Sequence, residues 1–203
     1  MMMPLMDGFT LCTKIREDER TSHIPFILLT ARTTIESKLE GLELGADDYL
    51  TKPFNIKEIK VRIKNLLDQR ESLRKSFSRE VTIQPKNISV TSVDERFLNN
   101  ALAIMEAHLA DEQFSVERFA DEIGMSRKNL LRKIKALTDQ SVNEFIRNFR
   151  LNRAAQLIEG KSATISEIAY QVGFNNLSYF SKCFKELFGV LPNEFASKKS
   201  AVS

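Results

Sequence analysis

Apolar and polar positions divide the chain into two regimes. In the first, short apolar runs alternate with segments of helical period. Residues 8–19, GFTLCTKIREDE, place Phe9, Leu11, Cys12 and Ile15 near helical spacing. IPFILLT is a continuous apolar run bounded by Pro25 and Thr30, which predicts a strand buried on both faces. TIESKLEGLELGA is amphipathic through Ile35, Leu39, Leu42 and Leu44, with Gly45 as its stop. DDYLTKPF reads as a short strand running into Lys52-Pro53, and a helix opens near Asn55. Helix, strand, helix, strand, helix predicts the second half of a parallel α/β sheet.

The next helix is long, with Ile59, Ile63, Leu66, Leu73 and Phe77 at alternating spacings of four and three and Arg70 in the one gap. Such a stripe suits either a two-stranded coiled coil or the inward face of a helix packed on its own sheet. Ile59, Ile63 and Leu66 fit the second reading better, while beyond Arg70 one sheet layer would run out and a partner helix comes into play. Residues 78–91, SREVTIQPKNISVT, contain Pro85 and no helical period, so they read as an extended linker. Ser92 with Glu95 then forms a capping-box signature before Phe97, Leu98, Leu102 and Met105. From there to about Ser197 the patterning is helical with short breaks.

This second regime contains a near-repeat. FADEIGM at 119–125 recurs as IAYQVGF at 168–174. Small Ala120 and Ala169 let a second helix cross closely, and Gly124 and Gly173 supply the positive φ of a tight turn. Each turn leads into a new helix, SRKNLLRKIKALT capped by Ser126 and NLSYFSKCFKELFG capped by Asn176. Two such patterns at matching spacing predict two helix-turn-helix units.

Composition adds bounds. The 203 residues suit one large or two small domains, and 42% hydrophobic with 28% charged residues is ordinary for a folded soluble chain. A net charge of +3 points to no partner by itself. The local charge does: Arg127, Lys128, Arg132, Lys133 and Lys135 fall within 126–135 with no acid among them, whereas the preceding helix holds Glu117, Asp121 and Glu122. That places cations on the candidate recognition helix, where phosphates and guanine edges would lie. Cys12 and Cys183 lie far apart and beside no histidine, which suits reduced thiols. His23 and His108 have no acid or cysteine at metal-ligand spacing and read as structural. With no long apolar stretch or signal peptide, the expected location is the cytoplasm. No nucleophile–base pair, metal cluster or glycine-rich phosphate loop appears, so the expectation is no enzyme and no cofactor.

Between the units, SVNEFIRNFRLNRAAQLIEG predicts one helix from about Val142 to Ile158, roughly 25 Å long at ~1.5 Å per residue. Such a helix would hold two recognition helices about one DNA turn apart, ~34 Å, on one duplex face.

On these motifs, residues 93–198 resemble the AraC/XylS family of transcriptional regulators. The resemblance covers both units, the linking helix FIRNFRLNRAAQLI, the stretch ISEIAYQVGFNNLSYFSKCFKELFGVLPNEF and the closing Pro192-x-x-Phe195. It implies base contacts from Lys128, Leu131 and Arg132 in the first recognition helix, and from Leu177, Ser178 and Lys182 in the second. The leucines could make only apolar contacts, such as to thymine methyls, so Lys128, Arg132 and Lys182 carry more of the reading. Arg127, Lys133 and Asn143 suit phosphates. Phe174, Phe180, Phe184, Phe188 and Phe195 read as core.

Residues 1–77 resemble a response-regulator receiver domain, beginning at MMPLMDG. Thr30 matches the family's phosphoryl-contacting hydroxyl, Lys52 before Pro53 the lysine that pairs with the phosphoryl group, and Tyr49 the aromatic switch residue. A hydroxyl, a cation and a mobile aromatic are what holding and sensing a phosphoryl dianion needs. The family's acceptor aspartate sits four residues before the proline that is Pro4 here, so its position falls just before Met1, and Asp7 is the loop aspartate rather than the acceptor. The expectation is therefore a truncated receiver with no phosphoacceptor and no Mg²⁺-binding acidic pair. The strand at 26–30 would lack its neighbouring third strand and present an apolar edge for a second copy or a helix.

The expected fold is an α/β fragment, the C-terminal half of a doubly wound receiver, followed by an all-α domain with two helix-turn-helix units. Its parts are 1–77 receiver with a long final helix, 78–92 linker, 93–198 DNA-binding domain and 199–203 tail. The expected function is sequence-specific binding of double-stranded DNA in the major groove, as the output of a two-component or hybrid phosphorelay whose parent is coupled to a histidine kinase. The alternative is an interaction or dimerisation module, a homodimer formed through the receiver remnant and helix 55–77.

Overall fold

The computed structural model describes residues 6–31, 39, 41, 43–77, 91–160 and 163–200. Its first helix, α1 (Gly8–Glu17), starts because the Asp7 carboxylate accepts the Thr10 amide at 2.8 Å. Strands β1 (Ile27–Thr30) and β2 (Asp48–Thr51) pair in parallel, from Ile27 opposite Asp48 to Thr30 opposite Thr51. Cys12, Leu28, Ala46 and Tyr49 form a small core with Phe9 and Phe26 packed against it.

The predicted strand is present, yet among the described residues only one face is covered. Leu28 is buried while Leu29 is 41% exposed, because side chains alternate across a strand and α1 packs on one side. Among the described residues β2 is the only strand beside β1. Of the predicted helix near 34–46, Ile35 and Leu42 lie outside the described residues; Leu39, Gly41 and Glu43 are helical, and Gly45 turns the chain with φ +89°.

The long helix α2 (Ile56–Phe77) departs more from expectation. Ile59 and Leu66 are half-buried, but Ile63 is exposed, as are Ile56, Val61 and Leu67. Arg70 is no gap in a stripe. It is buried, donates to the His23 carbonyl, and shares the Asp47 carboxylate with Arg16, at 2.7 and 2.5 Å respectively. Arg16 also donates to the carbonyls of Gly45, Ser22 and Ile24. One buried carboxylate between two guanidiniums thus ties α1, the approach to β2 and α2 together. The Leu73 and Phe77 side chains fall outside the described residues, as does the predicted linker up to residue 90.

Helix α3 (Ser92–Ala107) is capped one residue earlier than expected. The Thr91 hydroxyl accepts the Asp94 amide at 3.1 Å and the Thr91 carbonyl the Glu95 amide at 3.0 Å. The chain forms two compact units, and the division falls inside this helix. Residues 91–98 and 136–138 belong with the α1–α2 part, and the second unit takes α3 from Asn99. Within the first unit the Ser22 hydroxyl donates to Asp94 Oδ1 at 2.7 Å, with both residues fully buried.

The remaining helices are α4 (Val116–Glu122), α5 (Arg127–Thr138), α6 (Val142–Glu159), α7 (Ile165–Gln171), α8 (Leu177–Phe188) and α9 (Pro192–Ser200). Capping boxes that were not predicted open two of these helices, Ser141 with Glu144 at α6 and Thr164 with Glu167 at α7. Leu151, Ala154, Ala155 and Ile158 of α6 pack with Ile168, Ala169 and Val172 and with Phe174, Phe180 and Phe184. Phe188 and Phe195 close this core, Phe184 meeting them at ring distances of 4.5 and 5.4 Å.

Candidate nucleic-acid interface

The near-repeat in the sequence is a repeat of backbone geometry. Helices α4 and α7 are each 7 residues long, and α5 and α8 each 12. Gly124 has φ +74° and Gly173 φ +79°, and the amide of the next residue reaches back to the alanine carbonyl, Met125 to Ala120 and Phe174 to Ala169, both at 2.9 Å. Ser126 caps α5 by accepting the Asn129 amide, and Asn176 caps α8 by accepting that of Tyr179. Each helix then ends in a left-handed residue, Asp139 and Gly189. The second turn is one residue longer, Phe174-Asn175 standing where the first has Met125 alone.

The geometry re-registers the predicted contacts. Arg127 and Leu177 are both the first residue of their helices, Lys128 and Ser178 the second, Arg132 and Lys182 the sixth. Lys128, Arg132, Ser178 and Lys182 are exposed, as are Arg127 and Asn143, and Leu131 is 38% exposed. The residue matching Leu131 at the fifth position is Ser181, which is half-buried. Leu177 is half-buried against the second core, so its methyls are only partly free.

Lys133 is a correction. It is fully buried, and a buried ammonium cannot reach a phosphate. The repeat explains why: its counterpart is Cys183, 3% exposed, between the core pairs Leu130 with Phe180 and Ile134 with Phe184. The seventh position of either helix faces inward, and the aligned cysteine was the signal that could have revealed it.

Charge elsewhere is partly neutralised. Arg127 pairs with Glu117 at 3.2 Å, both largely in solvent. Glu122 accepts from Arg118 and lies 2.8 Å from His108 Nε2, and this hydrogen bond from His108, with Arg118 adding to it, holds the Glu122 carboxyl below its ordinary value. His108 also stacks on Phe114, so its role is structural as the sequence suggested. Arg147 of α6, not anticipated from sequence, is half-buried, with the Tyr179 side chain of α8 near enough to favour its charge.

In the first unit, the Lys52 amide donates to the Thr30 carbonyl at 2.6 Å, which brings the ends of the two strands together. Thr30 is half-exposed and the Lys52 side chain is exposed at this edge, while Tyr49 is buried in the core beneath it. Among the described residues no group of three or more His, Cys, Asp or Glu is placed to hold a metal ion. No helix there is long and apolar enough to cross a membrane.

Two families match the sequence, a helix-turn-helix domain over residues 119–198 and a response regulator receiver domain over residues 1–64. The chain carries an AraC-type helix-turn-helix domain preceded by part of a response-regulator receiver domain. It is 49% identical to Histidine kinase P4 of Formosa agariphila over 199 residues, 98% of this chain and 14% of that protein. It is 40% identical over 97 residues to the DNA-binding dual master transcriptional regulator RpaA of Synechocystis, 48% of this chain and 39% of that one. The chain therefore spans well under half the length of these relatives. Among solved structures, an AraC-type transcriptional regulator from Chromobacterium violaceum matches with a TM-score of 0.48 and 29% identity, covering 51% of this chain and 92% of that one. The AraC-type domain supplies both repeated units, and the receiver part the parallel strand pair with Thr30, Tyr49 and Lys52.

Proposed function

We propose that the chain is a sequence-specific DNA-binding regulator of transcription, the output end of a two-component phosphorelay. The carrying observation is the duplicated turn geometry with its exposed polar and cationic residues at matching second and sixth positions, Lys128 and Arg132 on α5, Ser178 and Lys182 on α8. An exposed cation at a fixed helix position is what base-edge reading in a major groove requires. In this reading Arg132 and Lys182 take base edges, Leu131 and Leu177 offer methyls, and Arg127 and Asn143 take phosphates. Residues 1–77 are the receiver part, 78–92 the linker, 93–198 the DNA-reading part and 199–203 the tail. Histidine kinase P4 bears the name of the kinase class with which such a receiver works, which supports the phosphorelay assignment.

Promoter-fragment binding tests this. Arg132→Ala and Lys182→Ala are each expected to weaken specific binding by roughly 1–3 kcal/mol and to relax base preference at one position. Equal losses on specific and random duplex would move both residues to the phosphate class. A chain whose binding to every duplex is absent or insensitive to salt would sink the reading.

One observation favours a second role beside this one. Ile56, Val61, Ile63 and Leu67 are exposed on α2, from 43 to 69%, and Leu29 is exposed on β1. Apolar exposure of this kind suits association of two copies through the receiver part and helix 55–77. Light scattering coupled to size exclusion reads it directly, a strictly monomeric chain at all concentrations being the contrary result.

A further inference from the structure

Arg150 on α6 is a buried cation that the contacts above do not use. Only 8% of it is exposed. Its Nη1 donates to the Gly173 carbonyl at 3.2 Å and its Nη2 to the Asp111 carbonyl. Those carbonyls belong to two different places, the turn of the second helix-turn-helix unit and the turn that leads into α4 of the first. Its Nε is buried without a hydrogen-bond partner. Burial pushes the guanidinium below its ordinary value, opposed by the charge of Asp111. Gly173 is shaped to this contact: a Cβ there would lie 2.9 Å from Arg150 Cζ and 2.6 Å from the Leu109 carbonyl. Gly124, its counterpart, has nothing within 4 Å of the same point.

Burying a cation against backbone carbonyls, with no carboxylate among the described residues hydrogen-bonded to it, is a poor way to gain stability. It is a good way to fix geometry, because the planar fork of a guanidinium holds two acceptors at set directions. We propose that Arg150 is a positioning residue that sets the register between the two DNA-reading helices, and so the spacing of the two segments they recognise. The proposal rests on the DNA-binding reading. Two segments about one turn apart, roughly 10–10.5 base pairs, must meet α5 and α8 together, and one inserted base pair rotates the second segment by about 34°. A chain with a fixed register discriminates against that insertion, whereas a loosened one follows it.

The test uses the full chain and a duplex selected from a random pool by the wild type, with a second duplex carrying one extra base pair between the two contacted segments. Wild type is expected to prefer the selected spacing by at least tenfold, and Arg150→Met, similar in length but uncharged, to reduce that preference to within about twofold. Arg150→Lys, which keeps the charge without the fork, should fall between them and serves if the methionine variant folds poorly. Equal weakening on both duplexes, with the preference intact, would overturn the proposal and leave Arg150 merely structural. Hydrogen exchange separates failure of the two readings. If wild type binds no duplex, DNA reading falls, yet Arg150→Met raising exchange at both 109–112 and 172–175 still upholds the staple; a rise at one turn alone rejects it.

Discussion

Single residues carry much of the distinction between the two repeated units. Gly124 and Gly173 share a left-handed backbone, but only Gly173 is also hemmed in. A left-handed conformation costs an alanine about 1–2 kcal/mol. Gly124→Ala should therefore lose about that much by urea denaturation, and Gly173→Ala clearly more, since its methyl must displace a backbone carbonyl. Equal losses would mean that the Leu109 turn yields freely. Lys133 makes a second residue-level case. Because it is buried, Lys133→Ala should lower stability and leave the salt dependence of DNA binding unchanged. Arg127→Ala, at a position assigned to phosphate, should do the reverse, reducing the logarithmic salt slope by about 1. A reduced slope for Lys133→Ala would show that the side chain emerges to meet phosphate.

Elements differ in what holds them. Helices α6 and α7 are started by capping boxes, and the hydrogen bonds to the Ser141 and Thr164 backbones hold the Glu144 and Glu167 carboxyls below the ordinary value of 4.5. A carboxyl lowered on folding stabilises above its unfolded value, and that contribution disappears as pH falls through the folded one. Urea midpoints should accordingly decline below about pH 4.5, and Glu144→Gln should flatten part of that decline. An unchanged acid profile in the variant would place the sensitivity elsewhere. Ser141→Ala, which removes the other half of the box, should lose about 1 kcal/mol at neutral pH. In the receiver part the fastening is ionic instead. Asp47 sits between Arg16 and Arg70, all with side chains 8% exposed. Removing one member of such a buried set costs about 3–5 kcal/mol, because the remaining charges stay buried. Asp47→Ala is expected to show that loss, whereas Asp48→Ala, whose partner Arg62 is 36% exposed, should show at most about 1 kcal/mol. Similar losses for the two would deny Asp47 its special place.

For the molecule as a whole, local sequence rules determined a great deal. Helix periods, Gly124 and Gly173 at the turns, and Ser126 and Asn176 as caps announced both helix-turn-helix units, because each depends on backbone torsion and on neighbours within a few residues. The parallel strand pair was legible for the same reason, IPFILLT and DDYLT being short apolar or β-branched runs closed by turn residues. What the sequence misplaced were properties of facing surfaces. The helical period predicts Ile63 buried and Arg70 a gap, yet the exposure of one and the burial of the other depend on what α1 and the β2 approach bring opposite α2. Lys133 looked like a surface cation in a basic run, and only its match to the buried Cys183 shows that its position faces a core. The start of α3 moved by one residue because Thr91 and Ser92 are equally good caps on paper. Arg150 and Asp111 are far apart in sequence, so nothing local in either announces their contact. Sequence by itself determined the elements and the families, since torsional preference and apolar period are written residue by residue. Tertiary structure alone decided which charges are buried, which cations stay exposed and which side chain joins the two turns, since burial depends on the residue across the interface.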